Sequence, residues 1–367
     1  MKFIIDDKIP YINGVLEPYG EVLYIPGKDI SPEHVKDADA LIVRTRTKVN
    51  ENLLKGSSIK FVATATIGFD HIDRQYLKDN GVEWTSCPGC NSESVAQYIT
   101  AALIELSEKY AFSLEGKTLG IVGCGNVGSK VKLKAKALGM KVLVCDPPRA
   151  KAEGPEEFTD LEHLTAKSDF ITLHVPLFRD GDLKTFHLAD KDFFSRMKSS
   201  AFIFNTSRGE VIDNSDLEAA LKNGNIKGAV LDVWENEPDI NLELLKEVDI
   251  CTSHIAGYSA DGKSNGTSMS IQALSRFFNL GLDNWFPDNV PMPEKLIQVQ
   301  QKGFEGVKEA VRKTFDIYTD DKPLRSDPST FEFNRGNYQL RREFHNYKVD
   351  CADEVALNIL GNLGFKK

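Results

Sequence analysis

Short apolar runs rich in Val, Ile and Phe alternate with helix-like stretches along most of this 367-residue chain. The first series is Phe3–Ile5, Val22–Ile25, Ala40–Val43, Phe61–Ala63 and Val82–Trp84. The second is Leu119–Val122, Val142–Val144, Phe170–Leu173, Ala201–Phe204, Ala229–Leu231 and Val248–Cys251. Runs this short and apolar suit strands covered on both faces, and the helices between them supply the crossovers that parallel strands require. The pattern predicts an α/β protein with two doubly wound parallel-sheet domains around a cleft.

Local punctuation sets the expected boundaries. Pro88 and Gly89 close the first series, and a long helix follows, with Asn91 or Ser92 as cap and Val95, Ile99, Ala102, Leu103 and Leu106 on one face. A second helical stretch is expected over about 264–285, and a distinct tail after Trp285–Phe286–Pro287. In the tail Phe304, Val307, Val311 and Phe315 recur at helical spacing, while Phe331 and Phe333 alternate as in a strand. The division predicted is 1–95 completed by 256–285, then 96–255, then a smaller α+β domain over 286–367.

Composition narrows the partners. With 45 Lys+Arg against 54 Asp+Glu the net charge is -9, which disfavours binding to a phosphate backbone, so no nucleic-acid partner is expected. No run approaches the roughly 18 apolar residues of a membrane span, and acids follow directly on the apolar start of MKFIIDDKIP, unlike a signal peptide. Six cysteines without disulfide-framework spacing fit a reducing compartment, so a cytoplasmic protein with no membrane partner is expected. Cys87–Pro88–Gly89–Cys90 has no second such pair after it and suits a hinge better than a metal site; no metal is expected.

The glycine pattern Gly123–Cys124–Gly125–Asn126–Val127–Gly128 runs out of one predicted strand and into a helix. In a Rossmann-like domain the first glycine makes the turn, the second lets a pyrophosphate approach and the third lets helix and strand pack. Asp146 ends the next strand, where an acid accepts hydrogen bonds from an adenosine ribose and repels a 2′-phosphate, so NAD is the expected cofactor. Three further charged residues follow successive strands of the second series: Arg208, Glu237 and His254. Beyond strand ends all three can point into a ligand site. An Arg fork for a carboxylate, an imidazole base and a carboxylate that favours imidazolium are what oxidation of a 2-hydroxy acid needs.

Four blocks then resemble a known family: Gly123–Gly128, Asn205–Gly209, Asp232–Pro238 and Ser253–Tyr258 look like those of the D-isomer-specific 2-hydroxyacid dehydrogenases. Asp6–Tyr11, Val43–Asn50, Thr64–Asp73 and the tail after residue 286 narrow the resemblance to a branch that oxidises a phosphorylated four-carbon 2-hydroxy acid in vitamin B6 biosynthesis. The resemblance implies Arg208 and Glu237 as the active-site pair and His254 as the proton-transferring residue. It implies NAD contacts at Asn126, Val127, Asp146, Val175, Thr206, Ser207, Arg208, Asp232 and Gly257, and substrate contacts at Thr45, Thr66 and Tyr258. It also implies a homodimer formed through the tail. Thr45 stands where Ser is expected, Val175 where Thr is common, and Phe69 replaces a smaller residue.

The substrate phosphate needs its own cations. Arg44 and Arg46 flank Thr45 at the end of a strand, where residues two apart share a face; Arg341–Arg342 come next, though such a pair more often is solvated. His71 and His174 are read as satisfied hydrogen-bonding residues. The rival readings are a sister dehydrogenase acting on glycerate, lactate or 3-phosphoglycerate, and a non-catalytic, NAD-sensing corepressor-like protein. The Arg–Glu–His set argues against the second.

Overall fold

The computed structural model describes residues 1–293 and 296–367. Chain contacts divide it into two compact units, Met1–Asn91 with Ser259–Met292, and Ser92–Tyr258 with Pro293–Lys367. The first holds a parallel sheet of β1 (Lys2–Asp6), β2 (Glu21–Ile25), β3 (Ala40–Val43), β4 (Phe61–Thr64) and β5 (Glu83–Thr85), in the order β2-β1-β3-β4-β5. The second holds β6 (Thr118–Val122), β7 (Lys141–Cys145), β8 (Phe170–Leu173), β9 (Phe202–Asn205), β10 (Gly228–Leu231) and β11 (Ile250–Cys251), also all parallel, in the order β11-β10-β9-β8-β6-β7. Every strand of both predicted series is present. Ala40–Val43 and Phe170–Leu173 are buried at every position, which is why apolar runs without alternation mark them.

Both sheets wind the same way. The first strand of each has its successors on opposite sides, and in the second sheet this reversal falls between β6 and β8. Ligands of open α/β sheets bind beyond the carboxyl ends of strands at such a switch point.

The long helix is Ser92–Lys109, and the next predicted helix is Ala260–Phe278 rather than 264–285. Ser259 starts that second helix four residues early by accepting a hydrogen bond from the Gly262 N–H, and Asn279, in the left-handed region at φ 56, stops it.

Pro293–Lys367 belongs to the six-stranded unit. Its helices Gly303–Thr314 and Glu354–Leu363 bury Val307, Val311, Leu360 and Leu363 in one core with Ala102 and Leu106 of Ser92–Lys109 and Val131 of Asn126–Ala137. Arg312 Nη2 adds a 2.8 Å ion pair to the buried Glu105 Oε2. The tail thus shares a core with the dinucleotide-type sheet, while β12 (Ile297–Val299) and β13 (Val349–Cys351) form its own two-stranded parallel sheet.

One tail expectation fails. Phe331 and Phe333 lie on a helix, Phe331–Gly336, not a strand. Phe331 is fully buried with Leu324 and Trp234, whereas Phe333 is 67% exposed. A single pair spaced by two is too short a window to fix the period: on a strand residues i and i+2 share a face, whereas on a helix they point to nearly opposite sides, which is why one Phe is buried and the other exposed. Phe331→Ala should cost about 3–5 kcal/mol in urea unfolding, while Phe333→Ala should stay within about 0.5 kcal/mol. Equal effects would show that the helix does not dock through Phe331.

Candidate active site and nucleotide site

The three glycines after β6 do three different things. Gly123 turns at φ +84, and a Cβ there would sit 2.6 Å from the His174 carbonyl oxygen. A Cβ on Gly128 would sit 2.2 Å from the Gly123 carbonyl oxygen, so the helix Asn126–Ala137 can close on the turn only without a side chain. At Gly125 a Cβ would meet nothing within 4 Å, leaving open space before the first N–H groups of that helix. Asp146, at the end of β7, is tied to the same turn: its carboxylate accepts from the Cys124 N–H at 2.8 Å and the Arg149 N–H at 3.1 Å. Arg149 pairs with Glu153 and donates to the Cys124 carbonyl. Val175 follows β8 with its side chain against Gly123, and Thr206 follows β9 with its hydroxyl buried and unpartnered. The open cradle at Gly125 and the orphan hydroxyl of Thr206 fit a dinucleotide at the switch point.

The charged residues sit on the next three strand ends. After β9 the Asn205 side chain fastens the turn, accepting from the Ser207 N–H and hydroxyl at 3.0 and 2.8 Å and donating to the Arg208 carbonyl at 2.8 Å. A Cβ on Gly209 would lie 1.9 Å from the Trp234 carbonyl oxygen, so the Arg208 turn abuts the turn after β10 at bare-backbone distance. There the Trp234 N–H donates to Glu237 Oε1 at 2.9 Å, and the Trp234 indole donates to the Thr252 carbonyl at 3.1 Å, tying this turn to the end of β11.

His254 and Glu237 meet directly. Imidazole Nδ1 lies 2.7 Å from Glu237 Oε2, with both side chains largely covered. With Nδ1–H held by the carboxylate, the neutral ring presents Nε2 as its basic nitrogen. Burial opposes ionisation of Glu237, yet the His254 charge and hydrogen bond, the Trp234 N–H and the Arg335 guanidinium outweigh it and hold the carboxyl below its usual range. His254 itself sits at φ 58, a left-handed conformation that costs a non-glycine residue about 1–3 kcal/mol. Its own N–H is bonded to the Asp232 carbonyl at 2.7 Å. The buried Asp232 carboxylate accepts from the Thr252 hydroxyl and the Ile255 and Ala256 N–H groups at 2.7, 2.7 and 2.9 Å. Both of its oxygens are thus engaged within the chain, and Asp232 shapes the loop that presents His254 and Gly257.

Other expected site residues are placed as follows. Thr66 follows β4 and donates its hydroxyl proton to the Gly68 carbonyl at 2.9 Å. Thr45 is exposed after β3. The strand ends at Val43, and Arg44–Thr47 form a turn closed by the Thr47 N–H on the Arg44 carbonyl, so the shared strand face expected for Arg44 and Arg46 does not exist. Arg44 Nη1 donates to the Lys8 carbonyl at 3.2 Å. Arg341 and Arg342 are buried rather than solvated. Arg341 donates to the Ala256 carbonyl at 2.7 Å, the Ser94 hydroxyl at 3.0 Å and the Tyr338 hydroxyl at 2.7 Å. Its guanidinium is therefore used inside the fold. Burial drives His174 down to about 3 and keeps it neutral against the Thr172 hydroxyl. Cys87 is a buried free thiol, pushed up to about 11 by burial.

The sequence reading missed Arg335. Its Nε lies 3.3 Å from the Tyr258 hydroxyl and its Nη1 3.9 Å from Glu237 Oε2. The signal was present, because Phe331 and Arg335 are four apart and share a face once the segment is read as a helix.

Residues 94–256 match the family model described as D-isomer specific 2-hydroxyacid dehydrogenase, NAD binding domain, and residues 293–364 match one described only as a domain of unknown function. An erythronate-4-phosphate dehydrogenase of Bacteroides fragilis is 51% identical over 95% of this chain and 99% of its own. That of Escherichia coli is 42% identical over 100% and 98%. The chain belongs to the D-isomer-specific 2-hydroxyacid dehydrogenases. A solved relative, the D-lactate dehydrogenase of Aquifex aeolicus complexed with NAD and lactic acid, superposes with TM-score 0.65 at 27% identity, covering 77% of this dehydrogenase and 97% of its own chain. The uncovered remainder agrees in size with the tail that the second family model matches.

Two glycine substitutions in this dehydrogenase separate ligand space from packing space. Gly125→Ala should leave thermal unfolding almost unchanged while weakening NADH binding about tenfold or more in a fluorescence titration, because its Cβ enters only the open cradle. Gly209→Ala should lower the unfolding temperature by several degrees, because its Cβ meets backbone. Unchanged NADH affinity in Gly125→Ala would move the pyrophosphate site elsewhere.

Proposed function

We infer that this NAD-dependent dehydrogenase oxidises 4-phospho-D-erythronate at C2, giving 2-oxo-3-hydroxy-4-phosphobutanoate, a step in pyridoxal phosphate biosynthesis. The observation that carries the chemistry is the His254–Glu237 pair at 2.7 Å. The substrate assignment rests on relatives of that name matching this chain almost end to end. NAD, when bound, takes the hydride from C2.

The residues handle the other charges. His254 Nε2 accepts the hydroxyl proton as the carbonyl forms, and Glu237 steadies the imidazolium that results. Arg208 holds the carboxylate and polarises the new carbonyl oxygen. Gly123–Gly128 and the following N–H groups hold the pyrophosphate, Asp146 the ribose, and Val175, Thr206, Ser207 and Gly257 line the remaining cofactor contacts. Thr45, Thr66 and Tyr258 contact the substrate. The family resemblance also supports a homodimer built through the tail, working in the cytoplasm. Among the described residues no helix is long and apolar enough to cross a membrane.

His254→Ala should lower kcat by roughly 10²–10⁴-fold with NADH affinity retained. A panel of 4-phosphoerythronate, erythronate, D-glycerate, D-lactate and 3-phosphoglycerate should favour the first in kcat/KM. Retained turnover in the variant removes His254 as the base, and a better rate with another acid of the panel replaces the substrate assignment.

A further inference from the structure

The catalytic pair has a neighbour from outside the strand ends that supply Arg208, Glu237 and His254. Arg335 lies on the tail helix Phe331–Gly336, which Phe331 anchors in the core around Trp234. Trp234 is the residue whose N–H holds Glu237 Oε1, so the core that seats the Arg335 helix also holds the turn that presents the carboxylate. Arg335 Nη1 stands 3.9 Å from Glu237 Oε2, the oxygen bonded to His254, and 4.0 Å from Glu332 Oε1 one turn back. Its Nε is 3.3 Å from the hydroxyl of Tyr258, four residues beyond His254.

A buried carboxylate needs a counter-charge to stay ionised. His254 cannot supply one before turnover, because the base must begin as neutral imidazole. Arg335, always protonated, supplies it in both states. We propose that Arg335 is a positioning residue of the proton-transfer site, keeping Glu237 ionised and aimed at His254 whether the imidazole is neutral or charged, and so making the tail part of turnover. This deepens the reading of His254 as proton acceptor and rests on it.

The other charged groups of these loops and of the tail have hydrogen-bond partners of their own. Asp232 is turned to Thr252, Ile255 and Ala256, and Glu235 to His187 and the Asn214 N–H. Asp320 and Arg341 both bond the Tyr338 hydroxyl, whose ring packs against Tyr258 at 6.0 Å. Arg208 donates to the Ser207 carbonyl from the adjoining turn.

Removing the Arg335 charge leaves Glu237 unopposed as a stabiliser of imidazolium, so neutral His254 forms only at higher pH. Arg335→Gln should therefore shift the rising limb of the oxidation pH profile upward by about 0.5–1 unit. It should also lower kcat roughly tenfold at neutral pH, with KM nearly unchanged for both 4-phosphoerythronate and erythronate. Arg335→Lys, which keeps the charge and serves also if the Gln variant fails to fold, should hold the midpoint near that of the unmodified enzyme. An unmoved midpoint in the Gln variant, or a Lys variant shifted as far as the Gln variant, overturns the proposal. So does a loss confined to KM for the phosphorylated acid, which would make Arg335 a phosphate ligand. If His254→Ala is inactive while the Arg335→Gln profile is unmoved, this inference alone fails; if His254→Ala remains active, the reading beneath it fails first.

Discussion

The hydrogen bond between His254 Nδ1 and Glu237 Oε2 is the contact around which the six-stranded unit is arranged. It joins groups from two strand ends, and each end is fastened before the side chains meet. Trp234 fixes the carboxylate through its N–H and fixes β11 through its indole. Asp232 grips the far side of the loop through three donors, which offsets the strain of a left-handed His254. Removing either partner leaves the other, largely covered by protein, without its hydrogen bond. The supports around it have the character of a site held in place rather than one assembled on demand.

Close backbone approach is the second theme. Gly209 lets the Arg208 turn rest on the Trp234 carbonyl, and Gly128 lets a helix rest on the Gly123 turn. Both are distances that a methyl group would forbid. The same scarcity of side chains leaves Gly125 facing open space, where a ligand rather than protein completes the packing. Catalytic turn and nucleotide turn thus follow from the same device at strand ends of one parallel sheet.

Much of this was legible in the chain because parallel strands buried on both faces leave unbroken apolar runs, and because a glycine turn, an Asp and three charged strand ends keep their order in sequence. The errors share a cause. The strand before Arg44 and Arg46 ends at Val43, and Phe331 and Phe333 lie on a helix; in each case a two-residue spacing is too short to fix the period. Arg341 was read as solvated because charge suggests exposure, yet it sits over the Phe315 ring at 4.1 Å and bonds the Ala256 carbonyl. Arg335 was missed for a different reason. Its neighbours, Glu237 and Tyr258, lie some eighty to a hundred positions away in the chain, and only the docking of Phe331 brings them together.

The central claim is that this site moves a hydride from C2 of a phosphorylated 2-hydroxy acid while His254 takes the hydroxyl proton. The most direct measurement is a single turnover with 4-phosphoerythronate deuterated at C2, following the reduced nicotinamide by absorbance and by mass. The account predicts one deuterium in the reduced cofactor for each 2-oxo acid formed, with none from solvent deuterium in the converse experiment. Reduced cofactor without the C2 label, or label lost to solvent before transfer, would contradict it.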